Sequence, residues 1–281
     1  MPANQQVTRR GALVAMSSIA AQAAAPRHPA LRIALAQIDL DDGNLHRNME
    51  IAAEAAADAA RHRPDLFCLP EAVDFGWLHQ QGRRDALPIP GPYTHFLASL
   101  ARRHNFWICG GCLEKDGAGV YNSAVILDRS GRTVHKHRKI RTLPELTSHI
   151  YDAGPADAPL TVDTEFGRLG LTICADNFDI AIPKRAAAAG AWLLIAPHGF
   201  AAPVADMEKN AKEYAAHIRR VATATGMWVA AANVALARVR GGDWRDQMHC
   251  GVSRVVRPDG AAAVEAKFKT PDLVVCDIPA E

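Results

Sequence analysis

The sequence has no apolar run long enough to cross a bilayer as a helix, so no membrane-spanning role is expected. It has no excess charge of one sign either. Its 32 Lys and Arg nearly balance its 30 Asp and Glu, a formal net charge of +2, so neither nucleic acid nor an anionic membrane is an expected partner. No repeat at solenoid periods is found. A disulfide framework is missing too. The six cysteines (Cys68, Cys109, Cys112, Cys174, Cys250 and Cys276) are scattered, mostly inside apolar runs, and a chain of 281 residues does not need one. Cys109-Gly110-Gly111-Cys112 has redox or zinc spacing, but it lies within the strand-like run Phe106–Leu113. No second Cys or His pair has matching spacing, so these read as structural cysteines, with no metal or redox use expected.

What is present is ordinary globular composition, 49% hydrophobic and 22% charged, enough for one large core. The N-terminus stands apart. Thr8-Arg9-Arg10 is followed by an apolar stretch through Ala20 and then by Ala21-Gln22-Ala23-Ala24-Ala25-Pro26. Charge, apolar run, small residues is the order of an export signal. Residues 1–28 are therefore set aside as a leader, a twin-arginine signal that would place the protein in the periplasm. The alternative is a cytoplasmic enzyme with a disordered start. Residues 29–281 are expected to form the working domain.

Along that domain, apolar runs of strand length alternate with helical patterns. Leu31–Ile38 and Leu66–Leu69 read as strands, and Asn44–His62 as a helix with Met49, Ala52, Ala53, Ala56 and Ala60 at helical spacing. Tyr93–His104 is a second helix, followed by strands Phe106–Leu113 and Val120–Leu127 and a turn at Asp128–Gly131. Leu171–Cys174, Trp192–Ala196 and Trp228–Asn233 are further strands, Met207–Thr225 a long helix, and Gly251–Val256 and Leu273–Ile278 close the sheet. The pattern implies an α/β protein with mixed sheets and helices outside.

Three of these runs end on a reactive group: Glu71 after Leu66–Pro70, Lys139 in Lys136–Ile140, and Cys174 at the end of Gly167–Ile173. Amide cleavage by a thiol needs these three types. The thiol attacks carbon, a carboxylate takes its proton and returns it to the leaving amine, and an ammonium stabilises the oxyanion. Each also has an ordinary reading: a packed cysteine, a loop charge, a solvated basic run. None of the twelve histidines sits at a comparable strand end.

Asp65-Leu66-Phe67-Cys68-Leu69-Pro70-Glu71, His137-Arg138-Lys139-Ile140 and Gly167-Arg168-Leu169-Gly170-Leu171-Thr172-Ile173-Cys174-Ala175-Asp176 resemble, in order, the glutamate, lysine and cysteine signatures of the nitrilase superfamily of carbon–nitrogen hydrolases. Softer resemblances occur at Tyr121–Ala124, Gly190–Leu194, Gly251–Ser253 and Pro258–Gly260, so the likeness covers about residues 30–281. It implies a four-layer αββα sandwich and a Glu71–Lys139–Cys174 triad, with the Ala175 backbone N–H at the oxyanion. It also implies no cofactor, and a homodimer or higher homo-oligomer. Glu145 sits where the family often carries a second glutamate, and a surface charge after Pro144 is its other reading. Trp77, Trp192, His198 and Phe200 are candidates for the substrate pocket.

The chain departs from the family after the cysteine, where Asn177–Lys184 replaces a short loop with a Pro-Glu pair. Ala175 stands where nitrile-cleaving members carry Trp, which leans toward amides. The paired arginines of carbamoyl-amino-acid hydrolases are absent. The expected function is hydrolysis of a non-peptide amide through a Cys174 thioester, releasing ammonia or an amine. Nitrile or N-carbamoyl hydrolysis by the same triad, acyl transfer, and a catalytically idle scaffold are the alternatives.

Overall fold

The computed structural model describes residues 28–147, 150–240 and 244–281. The leader assigned to residues 1–28 therefore lies, apart from His28, outside the described residues. The first half of the chain runs β1 (Leu31–Gln37), α1 (Leu45–Arg61), β2 (Leu66–Cys68), α2 (Gln80–Asp85), α3 (Pro92–His104), β3 (Trp107–Asp116), β4 (Gly119–Leu127), β5 (Thr133–Arg138) and α4 (Pro144–Thr147). The second half runs β6 (Thr161–Thr164), β7 (Gly167–Leu171), α5 (Ala181–Ala188), β8 (Leu193–His198), β9 (Ala201–Ala202), α6 (Met207–Thr225), β10 (Trp228–Asn233), β11 (Met248–His249), β12 (Arg254–Val256), β13 (Ala262–Glu265) and β14 (Asp272–Ile278).

These strands form two six-stranded mixed sheets, ordered β14-β1-β2-β3-β4-β5 and β13-β12-β10-β8-β7-β6, plus a small β11-β9 pair. Strand periodicity explains why both faces of each sheet are apolar. In β1, Leu31, Ile33 and Leu35 enter the core between the sheets, while Ala34 and Ala36 face the layer of α1 and α3. In β10, Trp228, Ala230 and Ala232 point inward and Val229 and Ala231 outward to α6. A strand buried on both sides reads as a continuous apolar run because successive side chains alternate faces. The result is the αββα sandwich expected from the sequence.

The helices carry matching stripes. On α1, Ala52, Ala56 and Ala59 are fully buried, small enough to bring the helix close to the sheet, and Asn44 caps it by accepting from the Arg47 N–H at 3.1 Å. Gly226, at φ +69°, ends α6 in the left-handed region that glycine adopts without strain.

The same alternation settles Cys109-Gly-Gly-Cys112. Cys109 lies in the core between the sheets and Cys112 in the outer layer, so the two thiols pack into different compartments and share no site. Gly111, between them, lets β3 pass beneath the turn that carries Glu71. A Cβ there would lie 2.6 Å from the Pro70 carbonyl oxygen and 2.7 Å from the Ala72 nitrogen and the Glu71 Cα. All three are backbone atoms with no room to yield. Gly111→Ala is expected to cost about 1–3 kcal/mol through this overlap, read as a lower urea midpoint, whereas an unchanged midpoint would show that the Glu71 turn is free to move.

Candidate active site

Four chain segments meet where β2, β5, β7 and β8 end. Leaving β2, Leu69 still donates its N–H to the Cys109 carbonyl at 2.9 Å, and Glu71 then donates its own to the His198 carbonyl of the opposite sheet at 3.3 Å. The turn thus spans the sandwich. Lys139, just past β5, is held by its backbone: its N–H donates to the Asn122 carbonyl and its carbonyl accepts from the Gly154 N–H, both at 2.8 Å. Cys174 follows β7 and opens a 3-10 turn, Cys174–Phe178, at φ +40°. A non-glycine residue in that region carries strain, of the kind found where a fold presents a reactive side chain on a tight turn.

The side chains converge on the Glu71 carboxylate, which is fully buried. Its Oε1 accepts from Lys139 Nζ at 2.6 Å and from Asn122 Nδ2 at 2.6 Å, and its Oε2 accepts from the Gly199 N–H at 2.7 Å. The Cys174 thiol lies against the same carboxylate. Burial, and then the negative charge of Glu71, push the thiol pKa up, while Lys139 and the Gly199 N–H pull the other way without prevailing. The resting sulfur is therefore held as a thiol beside Glu71. Lys139 is the reverse case: burial alone would lower it, but the charge of Glu71 and the hydrogen bond to it raise it, so it stays an ammonium.

The wall of the site includes Trp77, with Lys139 Nζ 5.7 Å from its ring centre. Its loop is pinned where Leu78 donates its N–H to the Tyr151 hydroxyl at 2.8 Å. Gly199 is forced to be small: a Cβ there would sit 3.1 Å from Glu71 Oε2 and 3.4 Å from His249 Cε1. His198 and His249 are both buried, and burial holds their pKa down to about 4 in each case, so both rings are neutral. Four buried polar atoms around the site have no partner: Trp77 Nε1, Asn122 Oδ1, His198 Nε2 and His249 Nδ1. Among the described residues no cluster of His, Cys, Asp or Glu could hold a metal ion.

The structure brings together Glu71, Lys139 and Cys174, with Ala175, fully buried, next in the 3-10 turn, and it places Trp77 and His198 around them. Phe200 is nearby, but its ring packs on Phe178 and Tyr214 at 6.0 and 5.2 Å between centroids, bracing the outer layer. Two candidates are not brought to the cluster. Trp192 precedes β8, at the opposite end of that strand from His198, where it stacks on His28 at 3.7 Å. Six residues of strand separate it from the site by about 20 Å. Glu145 is exposed at the start of α4 and makes no described bond to the cluster. Lys184, the lysine of the altered segment, is exposed on α5. Sequence reasoning missed Asn122, Gly199 and His249. Asn122 lay within a noted motif; His249 had no signal, standing in an irregular stretch before Gly251.

A family model for carbon–nitrogen hydrolases matches residues 32–281. The chain belongs to the carbon–nitrogen hydrolase family. It is 27% identical over 185 residues to the omega-amidase NIT3 of Saccharomyces cerevisiae, a match spanning 60% of this chain and 64% of that protein. Two solved structures share the fold. Nit3 of S. cerevisiae, described as a member of branch 10 of the nitrilase superfamily, superposes with a TM-score of 0.76 at 22% identity over 89% of this chain and 90% of that one. An amidase from Nesterenkonia sp. superposes with a TM-score of 0.74 at 22% identity, over 89% and 90%. Its family is thus shown by sequence, and its architecture is shared with these two solved proteins.

Histidines and two buried carboxyl groups give opposing responses to acid: burial raises Asp42 and Asp74 to about 7, which favours the folded state as the pH falls, and lowers several histidines, which does the reverse. Besides His198 and His249, burial lowers His135 to about 4 and His217 to about 3. An unfolded chain protonates these rings near pH 6.5 while the folded one does not, so the unfolded state binds more protons below that pH. Their stabilising contribution is complete above about pH 6.5 and is lost as the pH falls toward 4, at up to about 1.4 kcal/mol per pH unit for each histidine. With four such histidines against the two carboxyl groups, urea midpoints are expected to be lower at pH 5 than at pH 7.5, and a midpoint that does not drop would show that the histidines do not dominate the response.

Proposed function

We propose that the protein hydrolyses a non-peptide amide through a thioester on Cys174. One observation carries the reading: the Lys139 ammonium is bonded to a buried carboxylate, Glu71, whose charge also acts on the Cys174 thiol beside it. Glu71 takes the proton from Cys174 as Sγ attacks the amide carbon, which avoids a free thiolate in a site where burial disfavours one. Lys139 Nζ and the Ala175 N–H meet the oxyanion of the tetrahedral intermediate. Glu71 returns the proton to the departing nitrogen, the C–N bond breaks, and ammonia or an amine leaves the acyl thioester. Water then enters, gives a proton to Glu71 as its oxygen attacks the thioester carbon, and the acid departs as Sγ recovers the proton.

The omega-amidase name of the yeast relative supports an amide over a nitrile. So does Ala175, where a bulky indole would otherwise fill the space after the sulfur. The unpartnered Trp77 N–H and the lone pairs of His249 and Asn122 suit a small polar substrate. The test is ammonia release from a panel of amides, carbamoyl compounds and nitriles. Cys174→Ala is expected to abolish turnover, Glu71→Gln to remove the base, and Lys139→Ala to lower kcat by about a hundred- to a thousandfold. Ammonia release that survives in folded Cys174→Ala would remove the nucleophile assignment, and activity confined to nitriles would replace the amide.

A further inference from the structure

Two residues beyond the sulfur, Asp176 is fully buried and accepts four hydrogen bonds. Its Oδ1 takes the backbone N–H groups of Ile140 and Arg141 at 2.9 and 2.8 Å, the two residues directly after Lys139. Its Oδ2 takes the Ile173 N–H at 3.0 Å, directly before Cys174, and the Nε2–H of His137 at 2.8 Å, two residues before Lys139. The Asp176 N–H closes the turn on the Ile173 carbonyl at 2.9 Å. One carboxylate therefore holds the segment on both sides of the ammonium and the strained turn that bears the thiol. Neither Asp176 nor His137 is bonded to the reacting groups themselves.

We propose that Asp176 and His137 are a positioning pair, which sets the placement of Lys139 Nζ against Cys174 Sγ through this shared carboxylate. The inference rests on the thioester reading above. A merely structural core residue would lower stability and leave the chemistry of surviving folded molecules unchanged. A positioning residue acts on the reaction instead, because a misplacement of about 1 Å at reacting groups can cost a hundredfold in rate. His137 is the partner to vary. Its Nδ1 is unpartnered, so the Nε2–H bond to Asp176 is its polar function, and the glutamine amide nitrogen can replace Nε2 in place.

The experiment compares His137→Phe and His137→Gln with the wild type in kcat, KM and the rate at which iodoacetamide alkylates Cys174, located by peptide mass. His137→Phe is expected to lower kcat and the alkylation rate together by at least about tenfold with KM changed by less than about threefold, and His137→Gln to restore both to within about threefold of wild type. His137→Asn, whose shorter amide stops short of Asp176, is expected to match His137→Phe and replaces it should the phenylalanine variant fail to fold. Wild-type kcat and alkylation in either deficient variant would overturn the proposal, as would a loss that glutamine does not rescue. If instead Cys174→Ala kept its activity, the thioester reading itself would fall, and the positioning proposal with it.

Discussion

The ion pair of Glu71 and Lys139 is the constraint around which the rest of the site is built. Both groups are out of contact with water, and a buried pair that loses one partner costs about 3–5 kcal/mol. Such a pair persists only where its remaining hydrogen-bonding capacity is met. Here the donors come from both sheets: Lys139 and Asn122 from the first, and the Gly199 N–H from the end of β8 in the second. The carboxylate is thus a polar tie across the mouth of an otherwise apolar sandwich. It also explains the local backbone. Gly111 and Gly199 are small because a Cβ at either would press on the Glu71 turn or on its carboxylate.

The pair also determines how the sulfur can react. A thiol lying against a carboxylate in a dry site keeps its proton, and burial raises its pKa rather than lowering it. Nucleophilicity then has to come from proton transfer during attack. Glu71 is already held by Lys139, Asn122 and the Gly199 N–H next to the thiol, and so is placed to accept that proton. The same position serves the leaving nitrogen, since the carboxylate that takes the proton is the group that must return it. Charge within the cluster is conserved at each stage, which suits a cavity that water does not screen.

Much of this was legible in the sequence, for identifiable reasons. Apolar runs buried on both faces mark strands wherever they sit, so β1, β2, β3, β4, β8 and β10 were readable, and with β2 the run end at Glu71; the strand read over Leu171–Cys174 lies earlier, as β7 over Gly167–Leu171. The edge strands β6 and β13 were not, because Thr161-Val162-Asp163-Thr164 and Ala262-Ala263-Val264-Glu265 are largely solvated and show no such run. Trp192 and His198 stand at opposite ends of one strand, and only the direction in which it runs tells which of them reaches the site. Glu145 was a matter of side-chain direction in a short turn, to which local sequence is blind. His249 arrives through the β9–β11 pairing of Ala201 with His249, a long-range contact two residues wide. Asp176 was visible as part of the cysteine stretch, but its four donors come from segments that only the fold brings together.

The most direct measurement is the mass of the enzyme during turnover of an accepted amide, quenched in acid and mapped by peptide. The account predicts an increment equal to the amide less ammonia, carried on the peptide containing Cys174. Turnover with no covalent increment, or with the acyl group on a different residue, would contradict it.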